Sequence, residues 1–182
     1  MTKKEGFLDR SSKENEFVDV DPNRCIGCRI CELACSFEKG GKKSFNPENS
    51  RIRVLRLSPS LNVAMSCRLC ENAPCVKTCP RQALRQSNKG TIMVSEDKCT
   101  GCGWCIKACP FGAISLDLAN KVAAVCDKCE GRKGQEIWPG RKVVSQACIE
   151  WCPEEALSLS TKARVAQKAR KDAVENLYEL DE

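Results

Sequence analysis

The sequence predicts a small α+β protein of short β-hairpins and small helices, with little hydrophobic core and a helix at its C-terminal end. Three observations predict it. Sixteen of the 182 residues are cysteine, in four sets of four with none left over. Aromatic residues make up only 5%, and the 42% apolar fraction includes every cysteine. Apolar burial is then too thin to hold the chain, and bound metal must staple it. Finally, the apolar runs are short and sit next to the cysteine sets, as strands of small hairpins do. The length suits one domain or two small ones.

The elements follow in chain order. Residues 1–16 are charged and read as a flexible arm. Phe17–Val20 is a strand leading into the first set, Cys25, Cys28, Cys31 and Cys35. The charged, Gly-rich stretch 38–50 reads as a surface loop, and Arg51–Val54 alternates charged and apolar residues as a half-buried strand does. The second set is Cys67, Cys70, Cys75 and Cys79. Thr91–Ser95 is a strand before the third set, Cys99, Cys102, Cys105 and Cys109, and Ala113–Leu116 a strand after it. Val122–Val125 leads into the fourth set, Cys126, Cys129, Cys148 and Cys152, and Ala156–Leu159 leaves it. Pro80, Pro110 and Pro153 each follow the last cysteine of a set, and Ala83, Ala113 and Ala156 each lie four beyond it. The order is loop, cysteine, proline, short helical turn, strand; the proline ends the turn and leads the chain away. The first set departs, because Ser36 follows Cys35 and the chain leaves through Phe37. In the tail 161–182, Ala166, Ala169, Ala173, Leu177 and Leu180 share one side of an amphipathic helix, which is expected to pack on its own domain, with docking on a partner subunit as the alternative.

The spacing names the chemistry. The first and third sets read C-x2-C-x2-C-x3-C, the run that holds cubane iron–sulfur clusters in bacterial ferredoxins. A tight loop supplies three thiolates to one face of a cube, and the fourth must come from elsewhere; in two-cluster ferredoxins the fourth cysteine of each run ligates the other cluster. Four sets imply four [4Fe–4S] clusters and a chain that moves electrons. Zinc is a rival, but structural zinc uses pairs of thiolates, and a third cysteine two residues on is surplus. There is no histidine, which excludes mixed Cys/His zinc sites and Rieske centres. Only the fourth set resembles a zinc ribbon in isolation. Disulfides are a second rival. The N-terminus has neither an apolar run nor a small-residue cleavage site, so a reducing cytoplasmic address is expected, where cysteines read as metal ligands.

No apolar run approaches the ~20 residues that span a bilayer. The formal charge of +6 assumes neutral thiols. Each oxidised cubane with four thiolates carries about −2, which leaves a loaded protein near −2. The Lys and Arg excess then offsets cluster charge, and no basic helix with interleaved aromatics supports nucleic-acid binding. There is no P-loop, dinucleotide glycine fingerprint, histidine base or Cys/His nucleophile pair, so no catalytic residues are assigned and the chain is not read as an enzyme by itself. Trp104 and Trp151 lie beside ligands, either excluding water or filling gaps in a poor core.

The segments Cys67-Arg-Leu-Cys-Glu-Asn-Ala-Pro-Cys-Val-Lys-Thr-Cys-Pro80, Cys126-Asp-Lys-Cys-Glu-Gly-Arg132 and Ala147-Cys-Ile-Glu-Trp-Cys-Pro153 carry a resemblance over about residues 19–159. The chain resembles the four-cluster electron-transfer subunits of anaerobic oxidoreductases. These serve molybdenum or tungsten enzymes (dimethyl sulfoxide reductase, formate dehydrogenase, aldehyde oxidoreductase), carbon monoxide dehydrogenase and hydrogenases. The resemblance implies two intertwined, bacterial-ferredoxin-like two-cluster units. An inner unit, 59–118, pairs Cys67, Cys70 and Cys75 with Cys109, and Cys99, Cys102 and Cys105 with Cys79. An outer, discontinuous unit, 17–58 plus 119–160, pairs Cys25, Cys28 and Cys31 with Cys152, and Cys126, Cys129 and Cys148 with Cys35. The resemblance further implies a row of clusters joining a catalytic subunit, a tungsten or molybdenum enzyme by preference, to a ferredoxin, flavoprotein or second copy. Carbon monoxide dehydrogenase or hydrogenase partners, and a cluster-based redox sensor, are the alternatives. Two departures stand out: Leu69 where members often have His, and the Cys129–Cys148 gap holding Trp138-Pro-Gly140.

Overall fold

The structure is a computed structural model and describes residues 15–41, 45–130, 136–138, 141–142 and 146–178. Residues 1–14 of the expected arm and 179–182 of the tail lie outside these, as do Pro139 and Gly140.

Every strand pairs with one other, antiparallel, so the described strands form five two-stranded ribbons. β1 (Phe17–Val20), before the first cysteine set, pairs with β10 (Leu157–Ser160), after the fourth, in the register Phe17 to Ser160. β2 (Arg53–Ser58) pairs with β3 (Leu61–Met65), with a register shift near Ser58. β4 (Leu84–Gln86) pairs with β5 (Ile92–Val94), and β6 (Ser115–Asp117) with β7 (Val122–Ala124). β8 (Glu136–Trp138) pairs with β9 (Arg141–Lys142) in the fourth set's gap. Isolated two-stranded ribbons are marginal in water. These are held by what lies between them.

Four short helices start within or beside the cysteine loops: α1 (Ile30–Lys39), α2 (Pro74–Lys77), α3 (Trp104–Ala108) and α4 (Ala147–Glu150). Helices of one turn have no stability of their own. In each, the third cysteine of its set is the second helical residue.

The buried apolar side chains form two clusters. One gathers Val18, Val20, Ile52, Val54, Ala64 and Leu157 around Cys31, Cys35 and Cys148. The other gathers Ala83, Leu84, Ile92, Ile114, Ala123 and Val125 around Cys75 and Cys105. Cysteines thus line both cores, as the thin apolar composition requires. Where they meet, Arg68 bridges to Asp19 at 2.7 Å and lies 4.8 Å over the Phe17 ring, while the Ser66 hydroxyl donates to the Val18 carbonyl.

Two sequence expectations are corrected. The stretch 38–50 is not all surface loop. α1 continues through Lys39, with Ser36, Phe37 and Glu38 buried, and Ser50 is buried too. Packing of α1 on α4 and on the 3-10 turn Pro47–Asn49 extends the helix. The tail helix α5 (Lys162–Tyr178) has no buried residue, and Leu177 is 77% exposed. Its alanine-rich side is too small to bury much apolar area, and it touches the body through Lys168–Asp21 at 2.8 Å and Lys162–Glu71 at 3.6 Å.

Candidate metal centres

The four cysteine loops share one backbone path. The residue before the second cysteine is left-handed in all of them: Gly27, Leu69, Gly101 and Lys128, with φ between 47° and 70°. That conformation turns the chain so that successive sulfurs face inward. Close approach adds a second demand at Gly101, where a Cβ would meet the Lys121 carbonyl oxygen at 2.5 Å. The third cysteine of each set, Cys31, Cys75, Cys105 and Cys148, is 7% exposed in every case. Four stretches of different sequence therefore build one repeated cradle.

A second repeat follows the fourth cysteine. Gln82, Gly112 and Glu155, three residues on, are again left-handed. One residue later, the Ala83 N–H donates to Cys79 Sγ and the Ala156 N–H to Cys152 Sγ, both at 3.3 Å. At Ala83 and Ala156 the alanine noted in sequence four beyond the cysteine is thus a backbone donor to its sulfur, and both are buried. The Ala123 N–H reaches Cys99 Sγ at 3.4 Å, and the Arg51 N–H reaches Cys35 Sγ at 3.2 Å. Hydrogen bonds to sulfur tune iron–sulfur potentials. Burial pushes the Cys79 thiol up, but backbone N–H groups led by that of Ala83 outweigh it and hold the thiol below its ordinary range.

The sulfurs come together across sets. One cavity, with about 330 Å³ of open space, is lined by Cys25, Cys28, Cys31 and Cys152, with Val54, Ala64 and Leu157 behind them. A second, of about 340 Å³, is lined by Cys99, Cys102, Cys105 and Cys79, with Leu84 and Ala123. The other two groupings are felt electrostatically. Burial pushes the Cys75 thiol up to about 11, and Cys67, Cys109 and Cys70 push it the same way. Burial pushes the Cys126 thiol up to about 12, and Cys35 and Cys129 add to it. Cys148 is raised by burial and by Cys126, Cys35, Cys129 and, more weakly, Cys31. Cys31 itself is pushed up to about 12 by burial, then by Glu32.

All sixteen cysteines are free thiols, so the disulfide reading does not describe this structure. Among the described residues, no three Cys, Asp or Glu side chains converge as they would on a single metal ion. The two cavity groups fit iron–sulfur clusters: each brings four thiols together with apolar side chains behind them. The two tryptophans differ. Trp104 is 58% exposed beside Cys105, while Trp151 is half-buried, with Phe37 at 6.3 Å between ring centroids.

The sequence reading missed three polar groups that hold these loops. Glu32 is buried in α1 and accepts the Val54 N–H at 2.6 Å, fixing the first loop to β2. The Lys39 side chain, 8% exposed, is ion-paired to Asp127 between Cys126 and Cys129. Asp127 also accepts the Cys129 N–H at 3.1 Å. The ties from Glu32 to Val54 and from Lys39 to Asp127 join residues distant in sequence, so no local signal marks them.

A family model described as a 4Fe-4S dicluster domain matches residues 60–162, and one described as a 4Fe-4S binding domain matches residues 17–39. The chain belongs to the 4Fe-4S dicluster family. Curated relatives of this dicluster protein include the "aliphatic sulfonate oxidoreductase, polyferredoxin-like subunit" of Pyrococcus furiosus, 36% identical over 78% of this chain and 74% of its own. The "thiosulfate reductase electron transfer subunit PhsB" of Salmonella typhi is 36% identical over 79% of this chain and 74% of its own. The "electron transport protein HydN" of Escherichia coli is 32% identical over 88% of this chain and 98% of its own. Among the described residues, no helix is long and apolar enough to cross a membrane.

Proposed function

We propose that this protein is the electron-transfer subunit of an oxidoreductase complex and carries four [4Fe–4S] clusters in two intertwined units. The observation that carries the reading is the crossed lining of the two cavities: three cysteines of one set and the fourth of another. On that basis Cys25, Cys28, Cys31 and Cys152 would hold one cluster, and Cys99, Cys102, Cys105 and Cys79 a second. Cys67, Cys70, Cys75 and Cys109 would hold a third, and Cys126, Cys129, Cys148 and Cys35 the fourth. The two separate apolar cores support the two units. The clusters would supply one-electron chemistry. The chain supplies thiolates, N–H donors to sulfur and apolar walls that keep water from the middle of each site. Cys28 and Cys102 are exposed, which gives each unit a ligand near the surface, where electrons enter or leave.

Two of these relatives are named as subunits of a sulfonate oxidoreductase and a thiosulfate reductase, and the third as an electron transport protein. We take the partner to be a tungsten or molybdenum oxidoreductase, with a ferredoxin, flavoprotein or second copy at the other end, and the setting to be cytoplasmic. Native mass spectrometry of the anaerobically isolated complex, with iron analysis, tests both parts. About 16 iron atoms per chain and a tungsten- or molybdenum-bearing partner are expected. Iron near half that value rejects the four-cluster count; a fully loaded chain that always purifies alone rejects the subunit role.

A further inference from the structure

Lys39 is the last residue of α1, four beyond Cys35, and its side chain is almost fully buried. A buried ammonium is costly unless paired, and long charged side chains at helix ends normally reach water. Here Lys39 turns inward to Asp127, whose carboxylate is fixed by the Cys129 N–H. The pair lies where three cysteine-bearing pieces meet: α1 with Cys35, the Cys126–Cys129 turn, and α4 with Cys148, which packs on α1. It also lines an open cleft with Ile92, Val94, Val122 and Val125 and with the charged side chains Arg51, Glu96 and Glu130. A mostly buried positive charge and a partly exposed negative one thus stand beside the turn that carries Cys126 and Cys129.

The two charges are not equally screened: the Lys39 side chain is 8% exposed and that of Asp127 36%. One-electron reduction adds one negative charge to such a site and moves no atoms. A nearby cation therefore favours the reduced form and an anion the oxidised form, most strongly where water does not screen them.

We infer that Lys39 and Asp127 set the reduction potential of the centre framed by Cys35, Cys126, Cys129 and Cys148, with Lys39 raising it and Asp127 lowering it. The inference rests on the four-cluster reading above. Both are positioning charges: neither is a ligand, and each acts on the centre through space. The plain alternative is a staple, in which the pair only ties α1 to the turn. A staple predicts lost iron or lower stability in a variant, but no potential change of opposite sign on removing the two partners.

The test is a potentiometric titration of the full chain, loaded with iron and followed by electron paramagnetic resonance, for wild type, K39Q, K39R, D127N and K39Q/D127N. In K39Q one midpoint should fall far enough to change the oxidised-to-reduced ratio at the wild-type midpoint at least tenfold, about 59 mV for a one-electron couple. In D127N the same midpoint should rise, K39R should stay near wild type, and the double variant should lie between the singles. The other three midpoints should stay in place. Unchanged midpoints in both single variants at wild-type iron content, or shifts of the same sign, would overturn the inference. Should K39Q lose iron, D127N and K39R still decide: no upward shift in D127N overturns it. A wild-type chain without four titrating centres instead counts against the four-cluster reading, before any variant is made.

Discussion

The left-handed residue before the second cysteine is the smallest unit of this architecture. Glycine occupies it twice; Leu69 and Lys128 occupy it at a steric cost of about 1–2 kcal/mol each. The tight C-x2-C loop requires the turn whatever residue stands there, which is why C-x-G-C was readable as a loop at Gly27 and Gly101 and not at Leu69 or Lys128. Gly101 and Gly103 separate conformation from crowding. Both have positive φ, but a Cβ at Gly101 would strike the Lys121 carbonyl, and one at Gly103 would meet nothing within 4 Å. Gly103→Ala should cost about 1 kcal/mol, and Gly101→Ala roughly 2–4 kcal/mol because β7 must also shift. Denaturant midpoints for loss of cluster absorbance measure the difference, and equal costs would show that crowding against Lys121 plays no part. The repeat beyond the fourth cysteine shows a pattern legible in sequence whose reason was not. Ala83 and Ala156 were visible as a period, but the N–H to sulfur bond that selects a small residue there is a three-dimensional fact.

At the scale of elements, local patterns served where pairing partners were short and apolar. The strands expected at Phe17–Val20, Thr91–Ser95, Val122–Val125 and Ala156–Leu159 all appear, give or take a residue at their ends. α1 ran past its expected end because Phe37 and Glu38 are buried by distant segments, which no local propensity encodes. α5 failed in the opposite sense: amphipathic spacing was present, but alanine offers little area to bury. Its attachment is therefore electrostatic. The hydrogen bond from Lys168 holds the Asp21 carboxyl below its ordinary value of 3.8, and Asp21 in turn raises Lys168 above 10.5. A lowered carboxyl contributes fully above 3.8 and is lost as pH falls through the lower, docked value. A raised amine contributes fully below 10.5 and is lost as pH climbs past it. The pair is exposed enough that its worth is at most about 1 kcal/mol. Asp21→Asn at neutral pH should therefore release α5, seen as faster motion of a spin label at the exposed position Ala166, while iron content stays at the wild-type value. An unchanged label spectrum would mean that something other than this ion pair holds the helix.

For the whole molecule, the decisive property is that the cores and the metal sites are the same places. Cys31, Cys35 and Cys148 sit among the buried side chains of the first core, and Cys75 and Cys105 among those of the second. The apolar partners are mostly Val and Ala, and the ribbons have two strands each, so neither core has a second layer to fall back on. The proposed donors rest on spacing; the walls around them were not legible, because Val54, Ala64 and Leu157 reach one cavity from three separate segments. Metal binding should then be folding energy for the chain. Its pH dependence has a definite sign. Burial pushes the Cys31 and Cys126 thiols up to about 12 and Cys75 up to about 11. Without iron these sulfurs hold protons at neutral pH, whereas ligation needs thiolates, so loading must release protons and acid must favour unloading. A chelator challenge under reducing, oxygen-free conditions should strip iron faster at pH 6 than at pH 8. As iron leaves, the circular-dichroism strand signal and the cooperative thermal transition should disappear together. A stripped chain that kept its ribbons and melted cooperatively would prove that the two thin cores stand without the metal.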